Sequence, residues 1–98
     1  MKKIFICSPL RGDIENNIKK AKEYSRQVAI KGNIPITPHI YFTEFLDENK
    51  ERERQLGIDM GIELLKLCDE MYVYGEPTEG MKQEIEIAKR LDKKIYIC

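Results

Sequence analysis

An excess of charge of either sign is what this sequence most plainly lacks: Lys plus Arg and Asp plus Glu each number 17 in 98 residues. With no net field to hold a polyanion, and no basic stretch interleaved with aromatics, a nucleic acid polymer is not an expected partner. No apolar run is long enough to span a membrane. Met1-Lys2-Lys3-Ile4-Phe5-Ile6-Cys7 mimics the start of a secretion signal, yet the run stops at Ser8-Pro9 and Arg11 follows, far short of the segment such a signal needs. Cysteine is sparse, and Cys7, Cys68 and Cys98 contain no close pair, which fits neither a disulfide framework nor a zinc ligand set. His39 is the single histidine, without a second His or Cys at ligand spacing. No metal and no cofactor are expected, and a reducing cytoplasm is the natural setting. Linkers, repeats and low-complexity tracts are missing too, so residues 1–98 read as one domain with one core. A ligand must then lie at its edge or between subunits.

What is present is an alternation of short apolar runs with amphipathic stretches. Lys3 to Cys7 is a continuous apolar strand ended by a Ser-Pro turn, the pattern of a parallel strand buried on both faces. From Asp13, a cap, the positions Ile14, Ile18, Ala21, Ser25 and Val28 recur at helical steps, and Gly32 closes the helix. Ile34-Pro35-Ile36-Thr37-Pro38 reads as a second strand whose prolines confine it to an edge. A short helical turn is expected over Tyr41 to Leu46, and the charged run Asp47 to Arg54 is expected in solvent. Leu56, Met60, Leu64 and Leu67 form a helical stripe toward the sheet, with Ile58, Ile62 and Leu65 nearly opposite. That second face is offered to another subunit, making a homodimer or larger homo-oligomer the expected assembly, with Gly57 and Gly61 allowing close approach either there or to the sheet. Met71 to Tyr74 is a third strand, Glu79 to Leu91 a helix, and Lys94 to Cys98 a fourth strand. The expected fold is a single-domain, Rossmann-like (flavodoxin-like) α/β arrangement. Its parallel sheet has about four strands in order 2-1-3-4, with helices on both faces and the switch point between strands one and three.

In the last helix Met81, Ile85, Ala88 and Leu91 point inward, while Lys82, Gln83, Glu86, Lys89 and Arg90 face solvent. Glu84 projects between Ala88 and Leu91, an acid on the inward side of a first turn. It either complements the helix dipole or stands at the mouth of the crevice that forms where the strands end. The loops Cys7 to Asp13 and Gly75 to Gly80 must face that crevice, and they carry hydroxyls, glycines, Arg11 and a helix N-terminus, groups that hold sugars and phosphates. For Arg11 the competing reading is a surface pair with Asp13; for Ser8 and Thr78 it is a simple cap; for His39 it is a satisfied structural histidine. Cys7 followed by Arg11 invites comparison with a thiolate phosphatase, but three intervening residues are too few for a phosphate-wrapping loop. A phosphocysteine carrier stays open.

Three segments in strand order carry a more specific likeness: Ser8-Pro9-Leu10-Arg11-Gly12, then Cys68-Asp69 before the third strand, then Thr78-Glu79-Gly80-Met81-Lys82-Gln83-Glu84. Over nearly its whole length the chain resembles the nucleoside 2-deoxyribosyltransferase-like superfamily, in particular its small members with a Pro-His-hydrophobic-Tyr-Phe-Thr segment, here Pro38 to Thr43. The resemblance implies that Glu84 is a nucleophile toward the anomeric carbon of a nucleoside or nucleoside 5′-monophosphate. It implies that Ser8, Pro9, Arg11, Gly12, His39, Thr78, Gly80 and Met81 contact the substrate. It further implies a supporting acid before the third strand, Asp59 being the candidate and Glu63 its competitor. Two departures accompany it. Phe5 stands where the family often has a tyrosine near the nucleophile, and no segment beyond the fourth strand matches the one that closes many of the family's sites. The implied activity is hydrolysis or transfer at an N-glycosidic bond; the alternative is a noncatalytic nucleotide or nucleotide-sugar binding module.

Overall fold

Ile4, Phe5, Ile6 and Cys7 are all buried, which is possible only for a strand covered on both faces, and in the computed structural model, which describes Met1 to Cys98, they form β1 (Lys3–Cys7) at the sheet's interior. β1 lies between β2 (Ile34–Ile36) and β3 (Glu70–Val73), and β4 (Lys94–Ile97) completes a wholly parallel sheet in the order β2-β1-β3-β4. Side chains alternate across β1. Ile4 and Ile6 face α1 (Ile14–Ile30) through Val28, whereas Phe5 and Cys7 join Leu65, Met71, Met81 and Ala88 on the other side. That second layer comes from α3 (Glu51–Lys66) and α4 (Glu79–Arg90). Complete burial of such apolar side chains is worth about 1.5–3 kcal/mol each. Exposed pairs such as Lys66–Glu63 and Arg90–Glu86 contribute at most about 1 kcal/mol. The two-sided core, not the charged surface, holds the fold. Glu70, a buried acid at the start of β3, is offset by Lys2 Nζ at 3.0 Å.

The expected sheet order and both helical layers are present. Asp13 caps α1, accepting from the Asn16 N–H, and Gly32 closes it at φ +92°. The segment after β2 differs. Pro38 is not in the strand but opens α2 (Pro38–Phe42), where a missing N–H costs nothing because the first turn has no acceptor for it. The helical turn expected at Tyr41 therefore begins earlier, and backbone hydrogen bonds carry it on to Leu46.

The two faces of α3 are the reverse of those expected. Leu65 and Gly61 are buried and Ile58 and Ile62 half-buried, all within the subunit, while Leu56 and Leu67 are exposed. The reason is α2: Gly61 faces Pro38 and Gly57 faces Leu46, so the face read as free is covered by the preceding helix and its turn. An open apolar surface exists nonetheless: Met60, Leu64 and Leu67 border a hollow with Tyr41 and Phe42, and Tyr41 packs edge-on against the exposed Phe45. Leu91, expected inward, is 38% exposed at the end of α4. No helix is long and apolar enough to cross a membrane.

Candidate functional site

β1 and β3 are paired neighbours, but the chain leaves them toward opposite faces, into α1 and α4, so the loops that follow them open a crevice. Gly75 and Pro9 set the distance between those loops. Gly75 adopts φ +78°, and a Cβ there would lie 3.4 Å from the Pro9 ring. Pro9 thus braces the crevice from behind, and Gly12, at φ +101°, turns the first loop toward α1.

The crevice is a cavity of about 450 Å³. Ser8, Leu10 and Arg11 line it from the loop after β1, and Thr78, Glu79, Gly80, Met81, Gln83 and Glu84 line it from the start of α4. α2 supplies His39 and Phe42, and α3 closes the far wall with Ile58 and Ile62. Thr78 caps α4 by accepting from the Met81 N–H at 3.3 Å, which fixes the first turn and with it the direction of Glu84.

Glu84 is the electrostatic centre. Its Oε1 accepts from the Cys7 thiol at 3.3 Å, and it makes no ion pair with Arg11 or any other cation. Burial pushes its carboxyl up from 4.5 to about 7, against the opposing effect of the thiol hydrogen bond. Burial, reinforced by the neighbouring carboxylate, pushes Cys7 in turn far above the ordinary thiol range. A phosphocysteine carrier needs a reachable thiolate, and Cys7 is fully buried and held protonated. Across the cavity, Ser8 Oγ and His39 Nε2 are 3.0 Å apart. Burial lowers His39 to about 4, so its ring is neutral near pH 7 and pairs with the hydroxyl as a donor or an acceptor. A carboxyl held near neutrality, a neutral imidazole–hydroxyl pair and an unpaired guanidinium can together grip a sugar or phosphate and attack an electrophilic carbon.

Of the residues picked out from sequence, Ser8, Arg11, His39, Thr78, Gly80, Met81 and Glu84 share this cavity. Pro9 and Gly12 shape its loop without lining it. Asp59 is exposed, accepts from Gln55 at 2.9 Å, and stands apart from the cavity; Glu63 is exposed and pairs with Lys66 at 2.8 Å. Neither lines the cavity; Glu63 instead borders a separate hollow with Tyr41, Phe42, Met60, Leu64 and Leu67. Gln83, assigned to the solvated side of α4, is at the cavity edge. Glu48 and Arg54, paired at 3.8 Å, also line the cavity, although their charged segment was expected in solvent. Arg54 could have been found by spacing, since Arg54, Ile58, Gly61 and Leu65 share one helical face.

The architecture is that of a doubly wound α/β domain with its cavity at the switch point. The chain belongs to the family described as a domain of unknown function, DUF7768, whose profile matches residues 2–98. No curated protein matches it in sequence. Its fold is similar to that of a 2-deoxyribosyltransferase from Bacillus psychrosaccharolyticus, with a TM-score of 0.77 and 16% identity over 97% of this chain and 70% of that one. It is also similar to a 2-desoxiribosyltransferase from Leishmania mexicana, with a TM-score of 0.66 and 20% identity over 99% of this chain and 63% of the other. The shared feature is the fold, and the chain spans roughly two thirds of those structures.

Proposed function

We propose that this protein cleaves the N-glycosidic bond of a nucleoside or nucleoside 5′-monophosphate, with Glu84 as the nucleophile. The observation that carries this reading is the Glu84 carboxylate, which faces the same cavity as Ser8, Arg11 and His39 and has no cationic partner. Glu84 attacks C1′ as the C1′–N bond breaks. The electron pair leaves on the base, which takes up a proton. Water or a second base then attacks C1′ of the glycosyl ester and releases the carboxylate, so two displacements retain the configuration. Ser8 and His39 hold sugar hydroxyls, and Arg11, which lines the same cavity as the N-terminus of α4, takes a 5′-phosphate. Asp59 and Glu63 have no part in this scheme.

Incubation with a panel of nucleosides and nucleoside 5′-monophosphates should liberate free base from at least one of them, detected chromatographically. A folded protein that binds nucleotides but releases no base from any would instead be a binding module. Arg11→Ala should weaken phosphorylated ligands by about tenfold or more and unphosphorylated ones little, since one charge-assisted contact is worth about 1.5–3 kcal/mol. Equal losses for both would remove Arg11 from the phosphate.

The reading includes a homo-oligomer, for which the apolar hollow of Tyr41, Phe42, Met60, Leu64 and Leu67 is available. Sedimentation at high concentration should give at least double the 11.5 kDa of one chain, and a monomer would overturn this part.

A further inference from the structure

We propose that Cys7 is the positioning residue for Glu84, its thiol holding Oε1 so that the carboxylate faces the cavity in one orientation; this rests on the reading of Glu84 as nucleophile. Phe5 has no proton to donate and is committed to the core with Met71 and Met81. Cys7 lies two residues further along the same face of β1, at the strand's end, opposite Val73 and against the first turn of α4. Its Sγ is 3.3 Å from Glu84 Oε1 and 3.9 Å from the Met81 carbonyl, so the carboxylate is its nearer acceptor. The thiol is also the only protein group that donates a hydrogen bond to the Glu84 carboxylate.

The geometry is rigid on the donor side. Cys7 sits in the interior strand with none of its surface exposed, so its Sγ has little room to follow a moving carboxylate. The remaining ionisable groups facing the cavity are Arg11 from the first loop, His39 from α2, Glu48 and Arg54 on the α3 side, and Glu79 on α4 itself. None forms an ion pair with Glu84, so removing the thiol leaves the carboxylate with no replacement donor. A hydrogen bond to the charged form favours ionisation, and a thiol is a weak donor. The contact therefore fine-tunes Glu84 while burial dominates.

The test compares wild type, Cys7→Ala and Cys7→Ser, reading the Glu84 carboxyl carbon by NMR across pH, with the resonance assigned by its loss in Glu84→Gln. In Cys7→Ala the ionisation midpoint should rise by about half to one pH unit, and in Cys7→Ser, which keeps a donor, it should stay near wild type. For the nucleotide that is cleaved, Cys7→Ala should lower kcat several-fold more at pH 6 than at pH 9, with KM little changed. An unmoved midpoint in Cys7→Ala overturns the proposal, as does an equal rise in both variants, which would be a packing effect. Should the alanine variant not fold, the wild type still decides. The Cys7 S–H Raman band should shift with the same midpoint as Glu84, and a band indifferent to pH overturns the proposal. These readouts need no turnover, so an inert wild type would refute the nucleophile while leaving the contact to be judged separately.

Discussion

Glu84→Gln is expected to lower base release by on the order of a thousandfold or more while leaving fold and nucleotide affinity in place. The amide matches the carboxyl in shape, and its oxygen can still accept from Cys7, so the contact across the crevice survives. No salt bridge is lost, because Glu84 has none. What disappears is the negative oxygen able to form an ester with C1′, and an amide oxygen is a far weaker attacking group. The measurement is a single-turnover reaction with the best wild-type substrate, resolving free base by chromatography, beside a binding isotherm with the same ligand. Retention of more than about a tenth of wild-type activity would remove Glu84 from the nucleophile's role. Loss of binding along with activity would show a carboxylate needed for holding the ligand instead.

The fold was legible because its signals are local. A continuous apolar β1, a helix bracketed by Asp13 and Gly32, and a capped α4 each follow from their own few residues, and alternation of strands with helices, with prolines keeping β2 at an edge, agrees with the sheet order. Glu84 was legible for the same reason: the phase of α4 is set by Met81 and Ala88, both buried, and three residues after Met81 is an acid. What escaped depends on partners distant in sequence. α3 is apolar on two sides, so periodicity defines two stripes but not which one meets the protein. That choice is made by Pro38 and Leu46, facing Gly61 and Gly57. Taking the Leu56–Leu67 stripe as inward put Asp59 beside the site, whereas Arg54 and Glu48 were placed in solvent by the charge of their own segment. The Cys7 contact was hidden for a different reason. It spans 77 residues and joins two side chains that sequence offered only as separate candidates, Cys7 as a thiolate and Glu84 as a carboxylate.

The second large effect is on stability, and it runs against activity. Burial raises the Glu84 carboxyl from 4.5 to about 7, so the folded chain holds that proton more tightly than the unfolded chain does. The resulting stabilisation is fully present below pH 4.5 and is lost as pH rises through 7. The whole displacement corresponds to about 3 kcal/mol, and the partial access of solvent to Glu84 reduces this to about 2 kcal/mol. Glu84→Gln carries no such proton, so its stability relative to wild type should grow by about 2 kcal/mol between pH 4.5 and pH 8. In a domain of this size that is roughly a 10 °C gain in Tm over wild type. His39 has the opposite dependence, because burial depresses it from 6.5 to about 4 and its contribution is lost as pH falls through that range. Both proteins contain His39, so the difference between them isolates Glu84. Urea unfolding of the pair at several pH values gives that difference directly. Base release by the wild type should meanwhile climb through the same midpoint near 7, as the carboxylate forms. A stability difference independent of pH would mean that Glu84 is solvated in the folded protein, and the buried, proton-holding nucleophile would have to be abandoned.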